Sequence, residues 1–570
     1  MRKVLLVALV VLVAAALALP ASAGISGPAR SSAQSQQAAN LQSANGEYVV
    51  AYADGASAAD AHAAIKAAGG TIVKENTHVG MATVKSSNAA FIAAAGNQSA
   101  LAGAARNQPI GKLPSGAREK DSVERLTAAE RAAVKGSATA SSAHSVPNQE
   151  PFADKQWDMR MIDATPSGSY RVNQGRRGVM VGIIDTGVDG THPDIRPNFN
   201  RALSRNFTTD IPLVDGPCEH PSCVDPADED DNGHGTHVAG LIGAALNGLG
   251  TAGVAPKVTL VNVRAGQDSG FFFLQPTIDA LVYAGLVGID VVNMSFFTDP
   301  WLYNCLNNPA DSPAEQAEQR TIRVVTQRAV NFARAHGVTP VAALGNEHTD
   351  LGHPTVDTTS PDFPPGSERT RTVDNSCITV PTETRGVISI SALGPSGYKA
   401  DYSNYGIEQT DFSAPGGWFR DFFGMPQNRQ VENLNLSPYP LNVAIANGDL
   451  NPDGTPNNPF VLRDCKDGTC AYYQYLQGTS MASPHAVGVA ALIVSSHGTH
   501  DPRNGGLTLS PGAVERVLTR TAKQTPCPSP PNFAYPDDRD PSFDGVCEGT
   551  LAHNGIYGRG IVNALTAVID

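Results

Sequence analysis

Gly178-Val179-Met180-Val181-Gly182-Ile183-Ile184 runs without a charge and stops on Asp185-Thr186-Gly187. A continuous apolar run bounded by a turn signal is the pattern of a strand buried on both faces; a half-exposed strand would alternate. Similar runs lie at 258–263, 290–294, 338–344 and 387–392, with helical stretches between them at 277–286 and 314–336. In the latter helix Ile322, Val325, Ala329 and Phe332 make one apolar stripe. Strands alternating with helices predict an α/β fold, a parallel sheet with helices on both faces. Ligands of such sheets sit beyond the carboxyl ends of the strands, so candidate chemistry is sought there.

Three segments carry it. Asp185 stands at a strand end, where a buried carboxylate needs a hydrogen-bonded partner; alone it reads as a plain turn residue. Asn232-Gly233-His234-Gly235-Thr236-His237-Val238-Ala239-Gly240 places an imidazole between glycines, ahead of small residues that suit a tightly packed helix. An imidazole can shuttle a proton near neutral pH. His234 and His237 could instead bind metal, but no Glu accompanies them as in a zincin helix, and His237 reads as structural. Gln477-Gly478-Thr479-Ser480-Met481-Ala482-Ser483-Pro484 ends a loop and opens a helix at Ser480. The free N–H groups of a first turn can hold an oxyanion, and Pro484 is expected within that turn. A lone serine there would more commonly be a cap.

Asp, His, Ser is one of the known chain orders of the charge-relay triad, and on these strings the chain resembles the subtilisin-like serine peptidases. Ala343-Leu344-Gly345-Asn346-Glu347 is a fourth match, and Gly253-Val254-Ala255-Pro256, Phe412-Ser413-Ala414-Pro415-Gly416 and Gly558-Arg559-Gly560-Ile561-Val562-Asn563 resemble further landmarks. The resemblance implies Ser480 as nucleophile, His234 as its base, Asp185 as the group that orients the imidazole, and Asn346 with the Ser480 N–H as oxyanion donors. It also implies calcium. Asp194, in His192-Pro193-Asp194, and Asn247, in the loop 245–251, stand at positions similar to ligands, and oxygen ligands suit that ion. The run Asp228-Glu229-Asp230-Asp231 is a second candidate, equally readable as a solvated loop. Nothing suggests an organic cofactor.

The chain departs from the family after Asn293-Met294-Ser295. Small glycines usually line the substrate cleft there; here Phe296-Phe297 follow. Ser295, Phe296 and Phe297 are therefore the substrate-binding candidates, with the rings expected to narrow the specificity pocket or to change how a peptide strand pairs with the cleft edge. The stretch between Asp185 and His234 is enlarged and holds Cys218 and Cys223, and 417–476 reads as an insertion.

Residues 570 in number exceed one typical domain. Met1-Arg2-Lys3, an apolar run to Leu19 and Ala21-Ser22-Ala23 follow the order of a secretory signal peptide over 1–23, which implies export. Residues 24–45 read as a flexible leader. Residues 46–110 show the order β-α-β-β-α, a small α+β ferredoxin-like unit that resembles, on weaker motifs, the family's inhibitory propeptide. Residues 111–150 read as a linker holding the maturation cleavage, with a helix over 122–134, and 151–570 as the peptidase domain. The eight cysteines all lie beyond residue 200, and neighbour pairing (218–223, 305–377, 465–470, 527–547) is the expected disulfide pattern. The whole chain carries 41 Lys and Arg against 54 Asp and Glu. Residues 1–150 hold 13 of those basic and 9 of those acidic residues, so the excess negative charge sits in the body and argues against nucleic-acid or anionic-membrane binding.

The expectation is a secreted, monomeric serine endopeptidase made as a zymogen. Its partners would be protein or peptide substrates and its own propeptide. Rival readings are a silent relative that only binds peptides, a zinc hydrolase using His234, His237 and cysteines, and an exopeptidase with one end of the cleft blocked.

Overall fold

The computed structural model describes residues 46–112, 124–132, 134, 150–296, 300–361, 367–535, 539 and 541–570. The signal-peptide and leader readings, Phe297 and most of 111–150 lie outside these residues.

The first unit is a four-stranded antiparallel sheet with two helices: β1 (Glu47–Tyr52), α1 (Ala58–Ala67), β2 (Thr71–Asn76), β3 (Met81–Lys85), α2 (Phe91–Gly96) and β4 (Leu101–Arg106), in sheet order β2-β3-β1-β4. Strand periodicity sends alternate side chains of β1 to different cores. Tyr48, Val50 and Tyr52 pack with Ile65 and Phe91 of the unit's own helices, while Val49 and Ala51 join Met81 and Ala105 on the main body. Beyond it, β5 (Pro109–Lys112) leaves this sheet, and among the described residues α3 (Ala128–Ala132) is the part of the helix expected over 122–134 that forms.

The body is built on seven parallel strands. They are β6 (Met180–Ile184), β7 (Arg205–Asn206), β8 (Thr259–Arg264), β10 (Val291–Met294), β11 (Thr339–Ala343), β12 (Ile388–Leu393) and β13 (Phe412–Pro415), in spatial order β13-β12-β11-β10-β6-β8-β7. A short strand, β9 (Phe271–Phe273), stands apart and pairs antiparallel with β5. On one face of the sheet lie α4 (His234–Gly243) and α7 (Thr479–His497), on the other α5 (Leu274–Val287) and α6 (Pro313–Ala335). Val181 and Ile183 of β6 face the first pair and Ile184 the second, so the apolar run is consumed by two cores, as predicted. Helix α7 is buried along almost its whole length, which explains its lack of a polar face. Helix α6 starts on a capping box between Ser312 and Glu315 with Pro313 in the first turn, and ends before Gly337, whose φ of +96° continues no helix. Its stripe of Ile322, Val325 and Ala329 is buried.

The stretch 417–476 forms a three-stranded antiparallel sheet of β14 (Asn435–Tyr439), β16 (Thr469–Leu476) and β15 (Val461–Lys466), in that order. All eight cysteines are paired as expected, 218–223, 305–377, 465–470 and 527–547. Among the described residues no helix is long and apolar enough to cross a membrane.

Ion pairs hold the first unit to the body. Arg106 meets Glu318 at 2.8 Å, Lys74 meets Asp279 at 2.7 Å, and Arg328 donates to Asp54 and to the Tyr52 carbonyl.

Candidate active site

Three strand ends and one helix start converge. Asp185 follows β6, Asn346 follows β11, Ser295 follows β10, and Ser480 lies in the first turn of α7. Asp185 is fully buried, and its Oδ1 sits 2.7 Å from Nδ1 of His234 while accepting the Thr186 N–H. The approach of α4 to β6 requires Gly235: a Cβ there would lie 2.0 Å from the Gly187 carbonyl oxygen.

The turn that presents His234 is organised by Asp230. This buried carboxylate accepts from Thr186 Oγ1, from the N–H groups of Asn232, Gly233 and Thr236, and from Thr236 Oγ1 at 2.6 Å. The sequence placed Asp230 only within an acidic run; its spacing before Gly233-His234 was the available signal. His237 is structural. Its Nε2 bonds the carbonyls of Asn435 and Gln474, fastening α4 to the inserted sheet, and burial pushes its pKa down to about 3. With His237 so engaged and every cysteine oxidised, the zinc arrangement has no ligand set.

On the other side, Asn346 uses Oδ1 to accept from Thr479 N–H and Oγ1, at 2.9 and 2.8 Å, which leaves its buried Nδ2 without a partner. Asn346 Nδ2 lies 3.5 Å from where a Cβ of Gly478 would be. The Ser480 hydroxyl donates to the Ser295 carbonyl at 3.2 Å, and no hydrogen bond joins it to His234 Nε2. Pro484 lies in the second turn of α7, not the first. Lacking an N–H, it cannot bond the Ser480 carbonyl, and the Ser295 hydroxyl takes that acceptor at 2.9 Å.

Glu124 was not anticipated. Its side chain is buried, with Oε2 3.4 Å from His234 Nε2 and Oε1 3.1 Å from the Cβ position of Gly478, beside Asn346. The Glu124 carbonyl accepts from Gln477 N–H, Leu126 is buried among Phe152, Phe419 and Leu434, and Glu130 pairs with Arg420 at 2.9 Å. Burial alone would depress the His234 pKa, but Asp185 and Glu124 outweigh it and push the pKa up to about 10.

The substrate-binding expectation needs revision at Phe296. This ring is 1% exposed and stacks on Phe272 at a centroid distance of 4.0 Å, so it props β9 from beneath and does not line an open cleft. Ser295 is buried and tied to α7; Phe297 is outside the described residues.

Asp194 and Asn247 come together, but not as a cation site. Asp194 accepts from Tyr473 Oη, Thr251 N–H and the Asn247 amide, and burial pushes its pKa up to about 8. Asn247 turns its NH₂ toward the carboxylate, and the Lys466 ammonium donates to the Asn247 carbonyl at 2.5 Å. Donors of this chain fill the positions that oxygen ligands of calcium would need.

The description of the subtilase family, peptidase S8, matches residues 176–546. The chain belongs to the subtilase family. Subtilisin DY of Bacillus licheniformis is 29% identical over 351 residues, covering 61% of this chain and 86% of that protein. The nisin leader peptide-processing serine protease NisP of Lactococcus lactis subsp. lactis is 27% identical over 361 residues, or 62% of this chain and 46% of that protein. Among solved structures, the epidermin leader peptide processing serine protease of Staphylococcus aureus superposes with a TM-score of 0.59 at 21% identity, covering 92% of this chain and 97% of that one. This subtilase is a serine-type endopeptidase of subtilisin-like fold.

Proposed function

We propose that the chain is a secreted zymogen whose peptidase works through Asp185, His234 and Ser480. The 2.7 Å contact of Asp185 with His234 Nδ1, beside Ser480 and Asn346, is the observation that carries this reading. His234 Nε2 takes the Ser480 proton as the hydroxyl attacks the scissile carbonyl, then returns it to the leaving amine. Asp185 fixes the tautomer and stabilises the charged ring. Asn346 Nδ2 and the Ser480 N–H receive the oxyanion; each such donor contributes on the order of 3–4 kcal/mol. Peptide chains add as a strand along Phe271–Phe273, the edge that β5 occupies.

Residues 46–110 act as a ferredoxin-like inhibitory propeptide and 151–570 as the mature peptidase, with the cut between residues 110 and 150. The pairing of β5 with β9 and the seat of Glu124 against His234 support this, since both block the path a substrate would take. Mature wild type and Ser480→Ala should be compared on casein and with a serine-directed phosphonate. Turnover and labelling at Ser480 in the first alone are expected; a label on another residue, or turnover by Ser480→Ala, sinks the assignment.

A further inference from the structure

We propose that the inserted stretch 417–476 gives the peptidase a docking surface for protein substrates on the leaving-group side of the scissile bond. It takes a leucine followed by a helical turn that opens on a Thr-x-x-Glu cap. This deepens, and rests on, the peptidase reading of Asp185, His234 and Ser480. The chain itself supplies the direction. Residues 109–112 lie on the β9 edge, Glu124 reaches His234, and 126–132 continue onto the inserted stretch. A substrate threaded the same way has its acyl half at β9 and its downstream half against the inserted sheet.

The docked segment shows what the surface accepts. Leu126 is 2% exposed, in one apolar cluster with Phe152, Phe419, Leu434 and Phe460. Those walls all belong to 151–570, so they stay with the mature peptidase when the segment leaves. Thr127 and Glu130 cap α3 reciprocally. The Glu130 N–H donates to Thr127 Oγ1 at 3.1 Å, and the Thr127 N–H to Glu130 Oε2 at 3.0 Å. Glu130 Oε1 accepts from Arg420 Nε at 3.0 Å, with Nη2 at 2.9 Å. Both side chains are only 12% exposed, so solvent screens this pair little. Arg131 donates Nε to the Leu126 carbonyl at 3.0 Å and lies over the Phe460 ring, 5.1 Å from its centroid. One carboxylate thus starts the helical turn and meets the guanidinium, so a leucine and an acid are read together at i and i+4.

The walls are held by bonds in which the segment takes no part. Trp157 Nε1 donates to the Leu434 carbonyl at 3.1 Å, Asn433 Nδ2 to the Gln427 carbonyl at 2.8 Å, and Asn428 Nδ2 to the Arg420 carbonyl at 3.0 Å. They brace the loop that carries Phe419, Arg420 and Leu434. The Cys465–Cys470 bridge joins β15 to β16. Docking on a surface already in shape costs little ordering. The surface is also in register with the catalytic residues. Ser437 Oγ donates to the His237 carbonyl at 2.6 Å, and Gln477, just ahead of Ser480, donates its N–H to the Glu124 carbonyl at 3.3 Å.

The test uses the mature enzyme obtained by processing of the full chain, with quenched fluorogenic peptides that share one cleavable segment. The longer peptide continues with Leu-Thr-Ala-Ala-Glu-Arg-Ala, the sequence of 126–132. Its kcat/KM should exceed that of the short peptide by roughly tenfold or more, through KM. Replacing its leucine by serine, or its glutamate by lysine, should remove most of that gain. The Arg420→Glu enzyme should reverse the second preference and favour the lysine peptide. The peptide substitutions need no protein variant, so they decide the matter even where Arg420→Glu fails to fold. Equal kcat/KM for the long, serine and lysine peptides, or an unchanged preference in folded Arg420→Glu enzyme, would overturn the docking surface. Turnover of the short peptide without any such preference would do so while leaving the peptidase reading intact. No turnover of any peptide would overturn both.

Discussion

The carboxylate of Glu124 lies 3.4 Å from Nε2 of His234, at the ring nitrogen that Asp185 leaves free. An imidazole flanked by two carboxylates stays protonated, and a protonated imidazole cannot accept the Ser480 proton. In the zymogen proposed above, this contact would add a charge effect to the steric block, favouring the protonated ring.

Self-processing should consequently depend on pH. The His234 pKa is raised from an unfolded value of about 6.5 to about 10 in the docked form. Stabilisation from a raised histidine pKa is complete below the unfolded value and is lost as pH rises through the folded one. Propeptide cleavage, followed by mass spectrometry, should accelerate from pH 6.5 toward 10. Glu124→Gln should process faster at neutral pH with a flatter profile. Superimposable profiles for the two proteins would refute this.

Asn346→Ala should lower kcat by about 10²–10³-fold with KM changed little, because the Nδ2 contact is made in the transition state. Steady-state kinetics on a chromogenic peptide decide it; a loss confined to KM would point to ground-state binding.

Asp230→Ala should cost about 3–5 kcal/mol in urea unfolding, the range for breaking a buried, charged hydrogen-bond hub. Activity should fall with it, since Gly233 and Thr236 lose the acceptor that shapes the histidine turn. A change under about 1 kcal/mol would show that water replaces the carboxylate.

Phe296→Ala should destabilise by about 3–5 kcal/mol through the loss of a fully buried ring. Because that ring supports Phe272 in β9, KM for long peptides should rise while a short substrate spanning few subsites is less affected. Equal effects on both would place the defect elsewhere.

Replacing both Cys305 and Cys377 by Ser should cost more than any other pair. The bridge spans 72 residues, against 5 for Cys218–Cys223, and loop-closure entropy assigns about 4 and about 2 kcal/mol respectively. Denaturant midpoints measured for the pairs would test the order.

The sheet was legible because β6, β8, β10, β11 and β12 are buried on both faces, so apolar residues dominate each strand with only a few polar ones such as Asn262, Asn293 and Ser389 among them. Strand β13 was harder: Phe412–Pro415 is short and ends in proline, and its motif stood out before its conformation did. The catalytic strings were readable because glycines mark where backbone must approach backbone, as at Gly235. Glu124 was not, since a carboxylate in a charged, Ser- and Ala-rich stretch looks the same in sequence whether it faces water or an imidazole far along the chain. Phe296 misled for a related reason: residue order cannot say on which side of β9 a ring will rest. Asp194 and Asn247 kept their neighbourhood, but Tyr473 and Lys466, contributed by the inserted sheet, took the ligands' places.

The ion pairs between the first unit and the body have one end in the open. Arg106 and Lys74 are about half-exposed, whereas their partners Glu318 and Asp279 are covered. Screening over about 8 Å in ordinary saline, shrinking to about 3 Å near 1 M, weakens such contacts without touching the sheathed Asp185–His234 pair. Ambient brine would then govern how long a severed first unit lingers, leaving the turnover number of the liberated enzyme untouched.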